Sequence, residues 1–291
     1  MKECATIIMG LALVLIASSL AWGAQWEITS DANLTLTQQS YSDNWAGKEV
    51  GSISWALVSN STAASQLSGK VHSKSTLKLE YGQTHAQDAE TRTWERPANS
   101  TDLIDFETVF RMTLGGAIDP YVSGRFESAF TDERDPAEVR YLNPIRLTES
   151  IGVARTLIAG EKRTWSVRLG GAVRQNIDGG VYDEGADEYK SETITESGAE
   201  FVTELFTPLA EEQITLTSRF SVFAALHNSE SDAFENDDWR SPDAEWKNTL
   251  TASIADFLTV NLSLDALYDR EVDSDPRFRQ TLSLGLTYRL L

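Results

Sequence analysis

Apolar and polar residues alternate along most of the chain, and the last stretch, "RFRQTLSLGLTYRLL" (Arg277–Leu291), shows the pattern most clearly. Phe278, Leu282 and Leu284 fall on one face of an extended strand, and Arg279 and Thr281 fall on the other. A period of two predicts β-strands with one apolar face, and no helical period recurs over a useful length. We predict twelve strands, covering residues 31–41, 50–59, 70–81, 104–114, 120–131, 145–158, 165–174, 193–206, 214–224, 245–256, 258–268 and 278–290.

The lengths of these strands and of their connections favour a membrane barrel. The usual strand of a globular sheet has about five or six residues, whereas a tilted strand that crosses a bilayer needs about nine to eleven. Short connections such as "GGAID" and "AGEK" alternate with long polar ones such as "TDERDPAEVRYLN", "NIDGGVYDEGADEYK" and "HNSESDAFENDDWRSPD", and only "NSTAASQLSG" is intermediate. We therefore predict an all-β fold, a transmembrane up-and-down antiparallel β-barrel of about 12 strands with both termini periplasmic.

Aromatic residues near the strand ends fit the two water boundaries of a bilayer. They are Trp246, Trp165, Tyr268, Phe278, Phe130, Tyr81 and Tyr288. Two charges do not fit, because Glu149 and Arg155 fall on the face that we assign to lipid. A basic residue at the midplane of that face would cost about 2–4 kcal/mol. Either both residues lie near the rims, or the register shifts in this strand.

The N-terminus reads as a secretory signal. Lys2 precedes an apolar segment, residues 5–20, and small residues follow at Ala21 and Gly23. This segment is too short and wrongly flanked for a spanning helix, and cleavage after Gly23 or after Ala21 fits equally well. We predict a signal peptide over residues 1–23 and an outer-membrane β-barrel over residues 24–291.

The amino-acid composition further restricts the class of protein. The formal net charge of −19 argues against nucleic-acid binding, which needs a basic face. Cys4 is the single cysteine and lies in the predicted signal, so the mature chain has no disulfide. After the signal, no run of 18 apolar residues occurs that would form a spanning helix.

Two segments resemble known families. "LTLTQQSYSDNWAGKEVGSISWALVSN" resembles the first hairpin of an uncharacterised, domain-of-unknown-function family of Gram-negative outer-membrane β-barrel proteins. The matching positions are Gln39, Asn44, Trp45, Gly47, Ser52 and Ser54. The resemblance implies fold and location, and no activity. The last strand, with Tyr288 two residues before Leu290, resembles the C-terminal signal that outer-membrane proteins present to the barrel-assembly machinery, although the usual final Phe is absent.

Few residues of the chain are candidates for catalysis or for metal binding. A hydrolase would need a base within hydrogen-bond reach of its nucleophile, and His72, His85 and His227 are the only histidines. The loops "DREVDSDP" and "ESDAFENDD" carry oxygen ligands, but they lack the glycine and terminal glutamate of a calcium-binding loop. We predict no catalytic residue, no metal site and no cofactor.

The inward face of the predicted barrel carries the remaining candidates. We predict that it is lined by Lys74, Lys78, Glu107, Arg111, Arg125, Glu127, Arg168, Arg174, Arg219, Lys247, Asp265 and Arg279. Either these side chains line a water-filled pore, or they pair and plug the interior, since twelve strands fall between the filled and the open sizes of barrel.

We expect a narrow porin-like channel for small solutes, anions among them, in the outer membrane of a Gram-negative bacterium. The alternative is a non-conducting structural or surface-binding barrel that uses its long acidic loops, and an outer-membrane hydrolase comes third. Expected partners are membrane lipid, lipopolysaccharide, the assembly machinery and small solutes, with no nucleic acid.

Overall fold

The structure is a computed structural model that describes residues 25–40, 50–134, 139–160, 162–183, 188–210, 213–233, 237–255 and 258–289. The predicted signal peptide and the motif residues Asn44, Trp45 and Gly47 lie outside these ranges. The strands are β1 Trp26–Gln39, β2 Ser52–Gln66, β3 Val71–Ala86, β4 Ala98–Met112, β5 Asp119–Ser128, β6 Thr131–Asp132, β7 Arg140–Tyr141, β8 Ile145–Ala159, β9 Thr164–Asp183, β10 Glu188–Leu209, β11 Ile214–Asn228, β12 Asp243–Ala255, β13 Leu258–Tyr268 and β14 Arg277–Arg289.

Within the described residues, twelve of these strands form a closed antiparallel barrel. Each strand pairs with its sequence neighbour, and β5 pairs directly with β8 because β6 and β7 form a separate hairpin. The barrel closes where β1 pairs with β14, with Leu34 opposite Leu286. The predicted up-and-down architecture is therefore confirmed. None of the helices in this part of the chain is long and apolar enough to cross a membrane.

The outside of the barrel is apolar and exposed. Phe278, Leu282, Leu36 and Ile151 have between 67% and 79% of their surface accessible, and they belong to strands on different sides of the barrel. Soluble proteins rarely expose continuous apolar patches of this kind. In a closed barrel every strand is paired with a neighbour on both sides, as hydrocarbon requires. The chain therefore forms a transmembrane barrel of the outer-membrane type.

Successive connections between barrel strands alternate between the two ends of the barrel. We call one end the loop end, where β1, β3, β5, β9, β11 and β13 finish. We call the other the turn end, where β2, β4, β8, β10 and β12 finish and β1 begins.

Several predicted strand ends were wrong. Residues 176–190, predicted as a loop, are mostly strand, since β9 runs to Asp183 and β10 starts at Glu188. Likewise β1 starts at Trp26, β2 continues to Gln66, and "NSTAASQLSG" is largely strand, so the turn after it is short. Outside the bilayer both faces of a strand can be polar. Backbone pairing then continues without an alternating pattern.

Two loops fold onto the loop end. In loop 129–144, the buried carboxylate of Asp132 lies 2.9 Å from the guanidinium groups of both Arg134 and Arg140. Asn143 accepts a 2.7 Å hydrogen bond from the backbone N–H of Gly179, which ties the loop to β9. In loop 229–242, a short 3-10 helix, Asp238–Arg240, carries the buried Trp239.

Candidate functional site

The predicted lining residues project from the inner wall, and the structure brings eight of the twelve into three groups of charges. The group nearest the turn end centres on Glu107 of β4. Its carboxylate accepts hydrogen bonds from Arg168 of β9 at 2.7 Å and from Arg219 of β11 at 2.8 Å. Arg219 also donates to Glu204 of β10, which lies 3.5 Å from the ammonium group of Lys74 on β3.

The second group centres on Arg125 of β5. Its guanidinium donates two hydrogen bonds to Asp105, at 2.9 and 2.7 Å, and lies 2.9 Å from Glu127 and 3.5 Å from Glu245 of β12. Lys247 also pairs with Glu245. The third group, near the loop end, is Arg174 of β9 between Asp243 and Glu196.

Three of these ion pairs cross the lumen. Glu107 and Arg219 stand on β4 and β11, with four barrel strands between them on one side and six on the other. The same spacing separates β3 from β10, joined by Lys74 and Glu204, and β5 from β12, joined by Arg125 and Glu245. The crossing pairs divide the lumen into two sides.

One side of the lumen is filled. We call it the packed side, formed by the inner faces of β5 and β8–β11. Tyr121 and Val202 are only 2% and 1% accessible there. Trp239 of loop 229–242 closes this side at the loop end by packing in a cluster with Phe223, Ala225 and Ala172.

The other side is more open. We call it the open side, formed by the inner faces of β13, β14, β1, β2 and β3. The inward-facing Thr29 and Thr37 of β1, Asn60 of β2 and Thr281 of β14 are exposed, at different heights of the barrel. Sequence reasoning listed the charged lining and missed this surface. The signal for it was present in the Ser, Thr and Asn residues that alternate with apolar ones in these strands.

The charges that border the open side are unequal in exposure. Lys74 is 44% accessible against 29% for Glu204, Lys78 is 34% against 11% for Glu80, and Arg279 is 53% against 11% for Asp265. In each pair the cation reaches further into the accessible space. Asp31 of β1 lies on the same side, where the amide of Asn60 donates to it at 3.4 Å.

A row of neutral side chains lies flat against the wall of the open side. Asn33 of β1 donates to Thr259 of β13 at 3.0 Å and accepts from Thr35. Asn261 of β13 donates to Thr259 and accepts from Thr251 of β12 at 2.8 Å. The row passes over Gly285 of β14, where a side chain would collide with Asn33. The sequence marked none of these residues as functional.

The remaining candidates fall elsewhere. Arg111 donates to Thr156 at 2.6 Å near the turn end, where His72 also lies on β3. The ring of His85 stacks at a tilt on Trp94, with 4.9 Å between centroids, and His227 is on β11 near the loop end. Among the residues that the structure describes, no group of three or more His, Cys, Asp or Glu side chains is arranged to hold a metal ion.

The loop end carries a carboxyl group whose pKa is raised into the neutral range. Loss of solvation, followed by the nearby carboxylates of Glu196, Asp269 and Asp243, raises the pKa of Glu271 to about 7. The side chain remains in contact with solvent. It therefore titrates near neutral pH at the entrance of the barrel.

Residues 36–133 match the family described as "Protein of unknown function (DUF3078)". The matched segment contains every residue on which the first-hairpin resemblance rests, so the resemblance to an uncharacterised family is confirmed. No curated protein sequence matches the chain.

Solved structures similar to this chain are outer-membrane barrels. The translocator domain of the autotransporter NalP from Neisseria meningitidis is 11% identical, with 99% of this chain and 97% of that one covered and a TM-score of 0.39. An outer-membrane channel from Pseudomonas putida F1 is 14% identical, with 92% and 96% covered and a TM-score of 0.46. The NanC porin is 8% identical, with 89% and 98% covered and a TM-score of 0.39.

Proposed function

We propose that the protein is an integral outer-membrane barrel that lets small solutes pass along the open side of its lumen, with a preference for anions. The observation that carries the proposal is the unequal exposure of the ion pairs there. Lys74, Lys78 and Arg279 present their charge to the accessible space, and each of their carboxylate partners is less accessible. A solute on this path meets positive charge first, which favours anions by electrostatic attraction.

The crossing ion pairs are expected to keep this passage narrow. They hold opposite walls together through contacts such as the 2.8 Å hydrogen bond from Arg219 to Glu107, and they leave only one side of the lumen for transit. Twelve strands fall between the filled and the open sizes of barrel, and here the packed side of the lumen is filled. We expect low conductance and exclusion of larger solutes.

We also propose how the chain reaches the outer membrane. A cleaved signal would take the chain across the inner membrane, and the assembly machinery would recognise β14. Phospholipid and lipopolysaccharide would contact the apolar exterior. No hydrolytic activity and no cofactor form part of this function.

Reconstitution into planar bilayers tests the passage directly. The wild-type protein should give small, discrete conductance steps in KCl and an anion-selective reversal potential under a salt gradient. A variant with Lys74, Lys78 and Arg279 all changed to Gln should shift the reversal potential toward cations.

The matched control is Arg155→Gln, which removes a positive charge from the outer face of β8. It should leave the reversal potential unchanged. Absence of conductance steps at any salt concentration would eliminate the channel. The alternative function, a non-conducting barrel, would then remain. The packing of Trp239 on the packed side supports that alternative.

A further inference from the structure

The seam between β1 and β14 is paired over only part of its length. Asp31–Leu34 of β1 faces Leu286–Arg289 of β14, which makes four pairs. Every other pair of neighbouring barrel strands is joined over at least eight positions. Continued toward the loop end, the same register would place Thr35–Gln39 of β1 opposite Thr281–Gly285 of β14. In the described chain these two segments are not paired with each other.

The two unpaired segments are not frayed strand ends. On its other edge, Thr35–Gln39 is paired with β2 over its whole length. Thr281–Gly285 is likewise paired with β13 over its whole length. Both segments are therefore held as strands within the barrel wall, and each turns an edge without a strand partner toward the other. The wall is open between them.

An asparagine side chain bounds this opening on the side of the turn end. The amide of Asn33 on β1 lies over Gly285 of β14 and donates to Thr259 of β13 at 3.0 Å. It thus bridges from β1 across β14 to the next strand, at the height where the pairing of the seam stops. The seam is closed from this bridge toward the turn end and open toward the loop end.

The two rims of the opening differ in chemistry. The outer rim carries Leu36, Leu282 and Leu284, whose accessible fractions are 68%, 69% and 57%. The inner rim carries the hydroxyl groups of Thr37 and Ser283 and leads into the open side of the lumen. Backbone edges at membrane depth are tolerated where they line a water-filled cavity, and the open side offers such a space. The opening therefore joins an apolar exterior to a polar interior.

A cation stands beside the inner rim. Arg279 lies on the inner face of β14, two residues before Thr281, and is 53% accessible, whereas its partner Asp265 is 11% accessible. An anionic group in the lumen next to the opening would meet this guanidinium. An apolar chain attached to that group would find the leucines of the outer rim. The lining therefore complements a molecule with an anionic head and an apolar chain.

We infer that the seam on the loop-end side of the Asn33 bridge is a lateral opening, through which anionic amphiphiles such as fatty-acid carboxylates move between the lumen and the surrounding lipid. This second exit leads out of the proposed passage, but it does not require that ions are conducted along the barrel axis.

Hydrogen exchange in phospholipid vesicles tests whether the seam is open. Those backbone amides of Thr35–Gln39 that point toward β14 should exchange faster than the paired amides of Asp31–Leu34, because no carbonyl group of β14 accepts from them. Equal protection of the two segments would show a seam that is closed along its length, and it would overturn the inference.

Uptake of radiolabelled palmitate into outer-membrane vesicles tests the transfer. In the double variant Thr37→Cys, Ser283→Cys, oxidation joins the two inner rims. Palmitate uptake should then fall to that of vesicles without the protein and recover on reduction, while axial ion conductance persists. If the two thiols lie too far apart for a disulfide, a bifunctional thiol reagent joins them instead.

The matched control joins two strands that are already paired along their length. Thr249 of β12 and Ser263 of β13 lie opposite each other on the inner face, with 3.4 Å between their hydroxyl oxygens. Oxidation of Thr249→Cys, Ser263→Cys should leave palmitate uptake unchanged. Arg279→Gln should reduce the uptake of palmitate more than that of the neutral cetyl alcohol. Heat-modifiable migration in gels verifies that each variant is folded.

Three results overturn the lateral opening while the channel stands. They are palmitate uptake by the wild type no greater than that of empty vesicles, undiminished uptake after the rims are joined, and a disulfide-linked dimer of Thr37→Cys, which would show that a second copy covers the edge. Palmitate uptake by a wild-type protein that never conducts would overturn the proposed channel and support the opening.

Discussion

Glu149 stands on the lipid-facing side of β8, opposite Gly124 of β5 and Val173 of β9. Its side chain is exposed on the same face as Ile151, and the described residues offer it neither an ion pair nor a hydrogen bond. The register that the alternation predicted for this strand is therefore correct. The charge lies outward, where hydrocarbon does not solvate it.

Replacing Glu149 with Leu should stabilise the barrel. An acidic residue on the lipid face costs less than a basic one, for which the range is 2–4 kcal/mol, so we expect a gain of about 1–2 kcal/mol. Urea unfolding in phospholipid vesicles measures the change. Glu90→Leu, in the exposed turn after β3, is the control and should have little effect. Equal stabilities of the wild type and Glu149→Leu would place the carboxylate in water.

Glu271 should make the loop end sensitive to neutral pH. Its pKa of about 7 lies above the usual 4.5 for a glutamate, so the folded loop binds the proton more tightly than an unfolded loop does. The resulting stabilisation is complete below pH ~4.5, decreases as the pH rises toward 7, and is lost above that value.

Hydrogen exchange of the backbone amides in loop 269–276 measures this effect. After correction for intrinsic rates, exchange should be faster at pH ~8 than at pH ~5. Glu271→Gln cannot titrate, so it should show the same protection at both values. If the pH difference persists in Glu271→Gln, another group is responsible.

Among the elements, the hairpin of β6 and β7 depends on one buried carboxylate. Asp132 accepts hydrogen bonds from Arg134 at 2.9 Å and from Asn143 at 2.7 Å, and it pairs with Arg140. The hydrogen bond from Arg134 is the main cause of a pKa well below the usual range for Asp132. The hairpin therefore stays attached in mildly acidic solution.

Asp132→Ala should release loop 129–144 while the barrel remains folded, because removing one partner of a buried ion pair typically costs about 3–5 kcal/mol. Limited proteolysis should cut the variant in this loop much faster than the wild type. Asp237→Ala is the control, since its pair with Arg240 is exposed on both sides and contributes little. Protection of loop 129–144 in Asp132→Ala would mean that β9 holds it by other contacts.

The elements that the sequence predicted well are those that cross the membrane. Lipid requires every second residue to be apolar, so the alternation around Leu282 and Leu284 defined both the strand and its outward face. Above the bilayer that requirement ends, and β9 and β10 continue through polar residues that looked like a loop. The hairpin within loop 129–144 is too short to show any period.

The candidate site was predictable only in part. Alternation placed Arg168, Arg219 and Glu107 on the inner wall, because facing inward is a property of one strand. Their pairing across the lumen depends on how β4, β9 and β11 are arranged around the barrel, and no local pattern contains that arrangement. The close approach of Asn33 to Gly285 likewise joins residues more than two hundred positions apart in the chain.

At the scale of the whole molecule, inward arginines serve two different purposes. Arg168 is 7% accessible and bound to Glu107, whereas Arg279 is 53% accessible and borders the open side. Arg168 belongs to the group of ion pairs that joins opposite walls, and Arg279 faces the solute path. Stability and charge preference should therefore be affected by different substitutions.

Arg168→Ala should destabilise the barrel by about 3–5 kcal/mol, since it leaves Glu107 with fewer cationic partners in a buried position. It should change the reversal potential little, because Arg168 does not face the passage. Arg279→Gln should do the reverse, with a small loss of stability and a clear shift toward cations. Urea unfolding in vesicles and reversal potentials in planar bilayers measure the two effects on the same proteins. If Arg168→Ala shifted the reversal potential as strongly as Arg279→Gln, ions would be crossing the packed side, and the division of the lumen into a closed half and a conducting half would be wrong.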